Sequence, residues 1–104
     1  MSLTERGENH FQCIATLAER EVKRYTPAGI PIVAAKLLHV SEQVEASTRR
    51  QVEFEVAVIA AGEIADQLER IEMGKMFRFS GFMARKNRNS RSLVFHLSAI
   101  ETIY

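Results

Sequence analysis

The segment RKNRNSR, residues 85–91, contains residue types that can bind a phosphate backbone. Four of its seven residues are cationic and none is acidic; the cations are Arg85, Lys86, Arg88 and Arg91. The Asn and Ser residues between them favour turns and can donate hydrogen bonds to phosphate oxygens. Because the formal net charge of the whole chain is only +1, this cluster is a local feature and not part of a generally basic protein. The alternative is a solvated hairpin tip without a ligand.

The second candidate is RYTPAGIP, residues 24–31, which predicts a type II-like turn from Thr26 to Gly29. Arg24 and Tyr25 directly precede this turn. A tyrosine ring can stack on a base while a neighbouring arginine binds the backbone, a combination found in proteins that bind single strands. The alternative is that the ring packs over the turn prolines. Lys23 extends the basic segment, although Lys23 and Arg24 must point to opposite faces if the strand alternates.

Four further side chains are weaker candidates for contact with nucleic acid: Lys36, Arg49, Arg50 and Phe82. Phe82 has the opposite strand parity to Phe77 and Phe79, which predicts that it points out of the core. An outward phenylalanine can stack on a base or fill a dimer interface. Lys36 is predicted to lie outward on its strand. Arg49 and Arg50 are predicted to be cations of a mobile loop, where they serve either contact or solubility.

Composition argues against several other classes of function. The 104 residues suffice for one domain, and Cys13 is the only cysteine, so no intramolecular disulfide can form. The three histidines are scattered without a carboxylate at metal-ligand spacing, so no metal or other cofactor is expected. Neither a catalytic triad order nor a phosphate-binding glycine loop is present, so we expect no enzyme. No signal peptide or membrane helix is predicted, which fits a reducing cytoplasm.

Hydrophobic periodicity predicts five strands and one helix, with the helix between strands three and four. The predicted strands are Phe11–Tyr25, Ile30–His39, Val52–Ala60, Lys75–Arg85 and Leu93–Ile103, and the predicted helix is Glu63–Ile71. Ser41–Gln51 and Arg85–Arg91 are predicted to be polar loops. This order predicts an all-β protein with one short helix, a five-stranded Greek-key barrel of the OB-fold type. Residues 9–104 form its single domain, and residues 1–8 are expected to be flexible.

The predicted fold bears on both candidate segments. In an OB-fold the loop between strands one and two and the loop between strands four and five lie beside the same binding face. Residues 24–31 and residues 85–91 occupy these two positions. The fold prediction therefore favours phosphate binding by residues 85–91 over a solvated hairpin tip.

Three segments also resemble a known family: RYTPAGIP, LLHVSEQVEASTRRQVEFEVAVIAAG and GKMFRFSGFMARK. In this order they are similar to primosomal replication protein N (PriB), a family of small bacterial relatives of single-stranded-DNA-binding protein. The resemblance covers residues 10–103. It implies a homodimeric OB-fold protein of the cytoplasm that binds single-stranded DNA without catalysis. It also implies two partners in replication restart, the PriA helicase and a helicase-loading factor.

Two other classes of function stay open. An RNA-binding OB-fold protein would show an exposed aromatic run at period two, whereas most phenylalanines of the fourth predicted strand point inward. A pure protein-interaction subunit would use the basic loop or the acidic helix face of Glu63, Asp66 and Glu69. Since the chain has no tryptophan, electrostatics is expected to provide most of any affinity for nucleic acid.

Overall fold

The computed structural model describes residues 7–103, which form six strands and one α-helix. The strands are β1 (Phe11–Arg20), β2 (Arg24–Tyr25), β3 (Pro31–Glu45), β4 (Thr48–Ala61), β5 (Met76–Arg85) and β6 (Leu93–Thr102), and the helix is α1 (Glu63–Arg70). Residues 1–6 and 104 lie outside the described residues, so most of the segment predicted to be flexible lies outside them as well.

The strands form one sheet in the order β1-β5-β6-β4-β3-β2. This sheet closes into a barrel because β1, at one end of the order, also pairs with β3 near the other end. Its first half, Phe11–Thr16, pairs with β5, and its second half, Thr16–Arg20, pairs with β3. On the far side of the barrel, β4 pairs with β6 in parallel through two residue pairs. The prediction of an OB-fold barrel is confirmed. Since β2 has only two residues, α1 lies between the third and fourth of the five long strands, as predicted.

The barrel core is built from inward-pointing residues that alternate along the long strands. Phe79, Phe95, Leu17 and Leu37 are among its fully buried side chains. Burying a side chain of this size contributes about 1.5–3 kcal/mol to stability. Alternation with exposed residues is what makes these strands recognisable from sequence.

Side chains fasten α1 to the barrel. The Arg20 guanidinium donates hydrogen bonds to the carbonyl oxygens of Ile71, at 2.8 Å, and Leu68, at 3.2 Å. A cation at this end of a helix satisfies carbonyl groups that have no partner within the helix. Gln67 Nε2 donates to the Ile100 carbonyl oxygen of β6 at 2.9 Å. Because Leu68 is also fully buried, α1 is held against the barrel by packing and by hydrogen bonds.

The prediction of a polar loop at Ser41–Gln51 is wrong, because β3 and β4 continue through it as a long antiparallel hairpin. Only Ala46 and Ser47 lie between the strands, and their φ values of 51° and 61° are typical of a type I′ hairpin turn. We call residues 40–53 the arm. Most arm side chains on both of its faces are exposed, so no apolar alternation marks these strands in the sequence.

The first predicted strand, Phe11–Tyr25, is two strands. β1 ends at Arg20, and residues 21–23 link it to β2. The turn after β2 is closed by a hydrogen bond from Gly29 N to the Thr26 carbonyl oxygen at 2.8 Å. The positive φ of 85° lies at Gly29, the fourth position of the turn, and not at the third, so the turn is not of type II.

Gly81 allows β5 and β6 to approach each other closely. A Cβ atom at this position would lie 1.8 Å from the His96 carbonyl oxygen and 3.0 Å from a ring carbon of Phe95. The pairing register also shifts between Ser80 and Gly81, where β6 has one extra residue. Gly81 is buried on the inward side of β5, and the close approach of the β6 backbone leaves no room for a side chain there.

We expect Gly81→Ala to lower the free energy of unfolding by about 3 kcal/mol, because the new methyl group meets backbone that cannot rotate away. Urea unfolding followed by circular dichroism measures this difference. Ser98→Ala changes an exposed residue of β6 and serves as the control, with an expected change within about 0.5 kcal/mol. A Gly81→Ala protein as stable as the wild type would show that the two strands separate here at no cost.

Candidate nucleic-acid interface

A groove of about 660 Å³ lies on the outer face of the barrel. Its small and apolar lining comes from β3, β4 and β6: Ala34, Ala57, Ile59, Leu93 and Val94. Its charged and polar lining includes Glu21, Arg24, Lys36, Lys86 and His96. Three predicted contact residues, Arg24, Lys36 and Lys86, therefore share one groove although they come from three distant parts of the chain. An apolar surface bordered by cations can accept a base together with its phosphate.

Strand pairing places four outward side chains in one row beside and across the groove. Phe82 lies opposite His96, His96 opposite Ile59, and Ile59 opposite Ala34. The rings of Phe82 and His96 stack with centroids 5.0 Å apart and an interplanar angle of 4°. Phe82 is 43% exposed, which confirms the prediction that it points outward. The two rings form an aromatic platform.

Sequence reasoning missed His96 as a candidate. Its outward parity was visible, because it stands between the core residues Phe95 and Leu97. Its contact with Phe82 depends on the register between β5 and β6, which includes the irregularity at Gly81. No local sequence pattern gives that register.

Hydrogen bonds hold the backbone of the loop that joins β5 to β6, and we call residues 85–91, which begin with the last residue of β5, the cationic loop. Lys86 N donates to the Ser92 carbonyl oxygen at 2.9 Å, which closes the loop at its base. Asn87 accepts from Asn89 N at its side-chain oxygen, at 2.9 Å, and from Ser90 N at its carbonyl oxygen, at 3.1 Å. The four cations of the loop are exposed, and within residues 7–103 none has an acidic partner. They are free to meet an external anion.

Three other candidate cations lie in exposed ion pairs. These pairs are Lys36 with Glu19 at 3.4 Å, Arg49 with Glu42 at 2.8 Å, and Arg50 with Glu45 at 2.6 Å. Exposed pairs of this kind contribute at most about 1 kcal/mol each, so a phosphate can replace the carboxylate at modest cost. Arg49 and Arg50 lie on paired strand β4, so the prediction that they belong to a mobile loop is wrong.

We call residues 21–23 the link. Along the link and strand β2 successive side chains alternate, so that Lys23 and Tyr25 lie on one side and Arg24 on the other. Arg24 lines the groove. The Lys23 ammonium instead lies 5.7 Å from the centroid of the Tyr25 ring, and Tyr25, which is 62% exposed, does not line the groove. The structure thus brings Arg24 to the groove and leaves Lys23 and Tyr25 outside it.

Lys23 bridges to the acidic face of α1. Its Nζ lies 3.0 Å from Asp66 Oδ1 and 3.2 Å from Glu69 Oε1. Both hydrogen bonds raise the pKa of Lys23, and the bond to Asp66 has the larger effect. A raised lysine pKa gives stabilisation that is complete below the pKa of the unfolded chain and is lost only as the pH rises through the folded pKa. At neutral pH the ammonium is therefore charged and paired.

Other kinds of site find little support in the described part of the chain. Among residues 7–103, no group of three or more His, Cys, Asp or Glu side chains is placed to hold a metal ion. Partial burial raises the pKa of the Cys13 thiol, which disfavours the reactive thiolate. No helix of the same stretch has the length and apolar character needed to cross a membrane.

Comparison with known protein sequences points to one family. A family model described as "another single-strand binding protein family" matches residues 9–99. The replication restart protein PriB of Nitrosomonas europaea is 44% identical over 91 residues, which cover 88% of this chain and 84% of that protein. PriB of Bordetella pertussis is 33% identical over 95 residues, covering 91% of this chain and 89% of the relative.

Solved structures give the same result. The crystallised PriB of Ralstonia solanacearum superimposes with a TM-score of 0.86 at 46% identity, covering 94% of this chain and all of the other. The single-stranded DNA binding protein from Thermus aquaticus superimposes with a TM-score of 0.72 at 23% identity, covering 95% of this chain and 52% of that protein. The second likeness concerns the fold alone.

Proposed function

The chain belongs to the PriB family of single-strand binding proteins, and from this premise we propose that it binds single-stranded DNA as a non-catalytic accessory protein of replication restart. The observation that supports this most is the groove, because it joins an apolar surface, an aromatic platform and unpaired cations. A single strand lying along the groove would place bases on Phe82 and His96. Its phosphates would lie near Arg24 and Lys86.

Charge provides most of the affinity in this mechanism. Within residues 7–103, Arg24 and the four cations of the cationic loop have no acidic partner. If four to six phosphates are neutralised, the logarithm of the binding constant falls with the logarithm of salt concentration with a slope of about −3 to −4. A stacked base adds about 1–3 kcal/mol, and the chain has no tryptophan to extend the platform. Binding is therefore weaker and more salt-sensitive than that of a tryptophan-rich protein.

The proposal includes the partners that the family resemblance implies. We propose that the protein works in the bacterial cytoplasm, stimulates the PriA helicase and recruits a helicase-loading factor. The replication-restart names of the relatives support this assignment. The cationic loop can serve DNA, the helicase or both. Charge reversal in this loop that abolishes helicase binding but retains DNA binding would favour the alternative of a protein-interaction subunit.

Replacing Arg85, Lys86 and Arg88 together by alanine tests the proposed function. We expect the salt slope to become less steep by about 2, since each lost phosphate contact removes about 0.7. At about 0.1 M salt this corresponds to an affinity about 100-fold lower. Fluorescence anisotropy of a labelled oligothymidylate, titrated at several salt concentrations, measures both quantities.

The matched control is Arg49→Ala with Arg50→Ala, which removes two cations that already pair with glutamates. We expect it to cost much less affinity than the loop variant. Equal losses would mean that overall charge matters and the loop does not. Unchanged affinity in the loop variant contradicts the proposal, and tighter binding of a matched RNA oligonucleotide would favour an RNA-binding protein.

Phe82→Ala tests the aromatic platform separately from charge. We expect binding to weaken by about 1–3 kcal/mol, the usual contribution of one stacked base, with an unchanged salt slope because no charge is removed. Leu93→Ala, which shortens an exposed apolar side chain of the groove, is the control and should cost less. An affinity equal to that of the wild type would remove Phe82 from the interface.

We also propose that the protein is a homodimer. Val40 and Val44 of the arm are exposed in the single chain, and Leu38, next to the arm, is half-buried on the outer face of β3. A twofold partner would cover apolar surface and double the length of the DNA track. Sedimentation equilibrium at micromolar concentration should give twice the mass of one chain, and a monomer at that concentration contradicts the proposal.

A further inference from the structure

The link between β1 and β2 directly precedes Arg24 and has few contacts of its own. Val22 is 90% exposed, so the link contributes no apolar anchor at this position. β2 is two residues long and pairs with Ile32 and Pro31 of β3. A backbone segment paired this briefly opens easily unless side chains hold it.

The Lys23 side chain connects this segment to α1. Its Nζ is bonded to both Asp66 and Glu69, which are three residues apart and therefore lie on one face of α1. The helix is itself fixed to the barrel, through the Arg20 guanidinium at its C-terminal carbonyl groups and through Gln67 to β6. The ion pairs of Lys23 thus connect the link to the rigid part of the fold.

Fastening Lys23 on the α1 side has a consequence for the next residue. Because side chains alternate along an extended segment, Arg24 is turned to the opposite side, where it lines the groove. The Lys23 ammonium already has two carboxylate partners and a tyrosine ring at 5.7 Å. A phosphate could reach it only after both ion pairs had broken.

We propose that Lys23 is a positioning residue, which through Asp66 and Glu69 aims Arg24 into the groove and makes no phosphate contact itself. The inference rests on the proposed function, since Arg24 matters to binding only if the groove takes up DNA. It assigns Lys23 a different role from the direct contact that its charge and its place in the sequence suggest.

The double variant Asp66→Asn with Glu69→Gln separates the two roles by the sign of the effect. If Lys23 positions Arg24, breaking the ion pairs weakens oligothymidylate binding by up to about fivefold at about 0.1 M salt, the value of one phosphate contact. If Lys23 is a phosphate contact, removing two negative charges and freeing the ammonium strengthens binding. Unchanged or tighter binding overturns the proposal.

A double-mutant cycle with Lys23→Met and Arg24→Ala gives a second test. If Lys23 acts through Arg24, Lys23→Met should lower the affinity for oligothymidylate about fivefold in the wild-type background. It should cause no further loss in the Arg24→Ala background. The salt slope of the double variant should differ from that of the wild type by about 0.7, the value of one phosphate contact, and not by twice this amount. Additive losses overturn the proposal.

Lys23→Arg is the matched rescue variant. It keeps a cation that can bridge both carboxylates, so it should restore most of the affinity. A loss as large as that of Lys23→Met also overturns the proposal.

Amide hydrogen exchange without DNA distinguishes failure of this inference from failure of the proposed function. Lys23→Met should speed exchange at Thr26 and Glu21, whose amides bond to the carbonyl oxygens of Ile30 and Ala34 at 2.9 Å. Unchanged exchange overturns the anchoring role. If exchange rises but the wild-type protein binds no oligothymidylate, the anchoring is upheld, while the proposed function and the role of Lys23 in DNA binding fail together.

Discussion

The close approach of β5 and β6 at Gly81 is the contact on which the geometry of the groove depends. Since β6 pairs with β4 through only two residue pairs, its position is set mainly by its long pairing with β5. The residue directly after Gly81 is Phe82, and its partner His96 contributes the carbonyl oxygen that a side chain at Gly81 would displace. The same strand pair ends at the cationic loop. The position without a side chain therefore lies directly beside the aromatic platform, on the strand pair that leads to the cationic loop.

Ion pairs divide the candidate contact cations of residues 7–103 into two groups that look alike in the sequence. Lys23, Lys36, Arg49 and Arg50 each have a carboxylate within 4 Å, so each is held in one place by the protein itself. Arg24 and the cationic loop have no such partner within residues 7–103. A free cation can bind phosphate without losing an internal contact, whereas a paired one must first exchange its carboxylate. Clustering of charge in the sequence is therefore a poor guide to which cations have no carboxylate partner.

Sequence patterns predicted the parts of this structure that depend on local periodicity. The alternation of Phe54, Val56 and Val58 predicted the barrel part of β4, and the clustered charges of RKNRNSR predicted the cationic loop. The arm could not be predicted in this way, because its strands are exposed on both faces and have no buried parity. The partners of Lys23 were also hidden, since Asp66 lies 43 residues further along the chain. His96 needed the register across the irregularity at Gly81. The misses at Lys23 and His96 both involve contacts between segments that are distant in the sequence, which local pattern does not encode.

The groove itself is not uniformly cationic, and this bears on how a single strand would be held. Glu21 lines it beside Arg24, and Glu19 already pairs with Lys36. In the proposed complex these carboxylates offset part of the attraction inside the groove, so the cationic loop provides most of the charge-dependent affinity. The apolar lining and the rings of Phe82 and His96 then act mainly by position. Salt screens the attraction between the cationic loop and phosphates but leaves base stacking almost unchanged. Raising the salt concentration therefore weakens phosphate binding by the loop before it weakens base stacking.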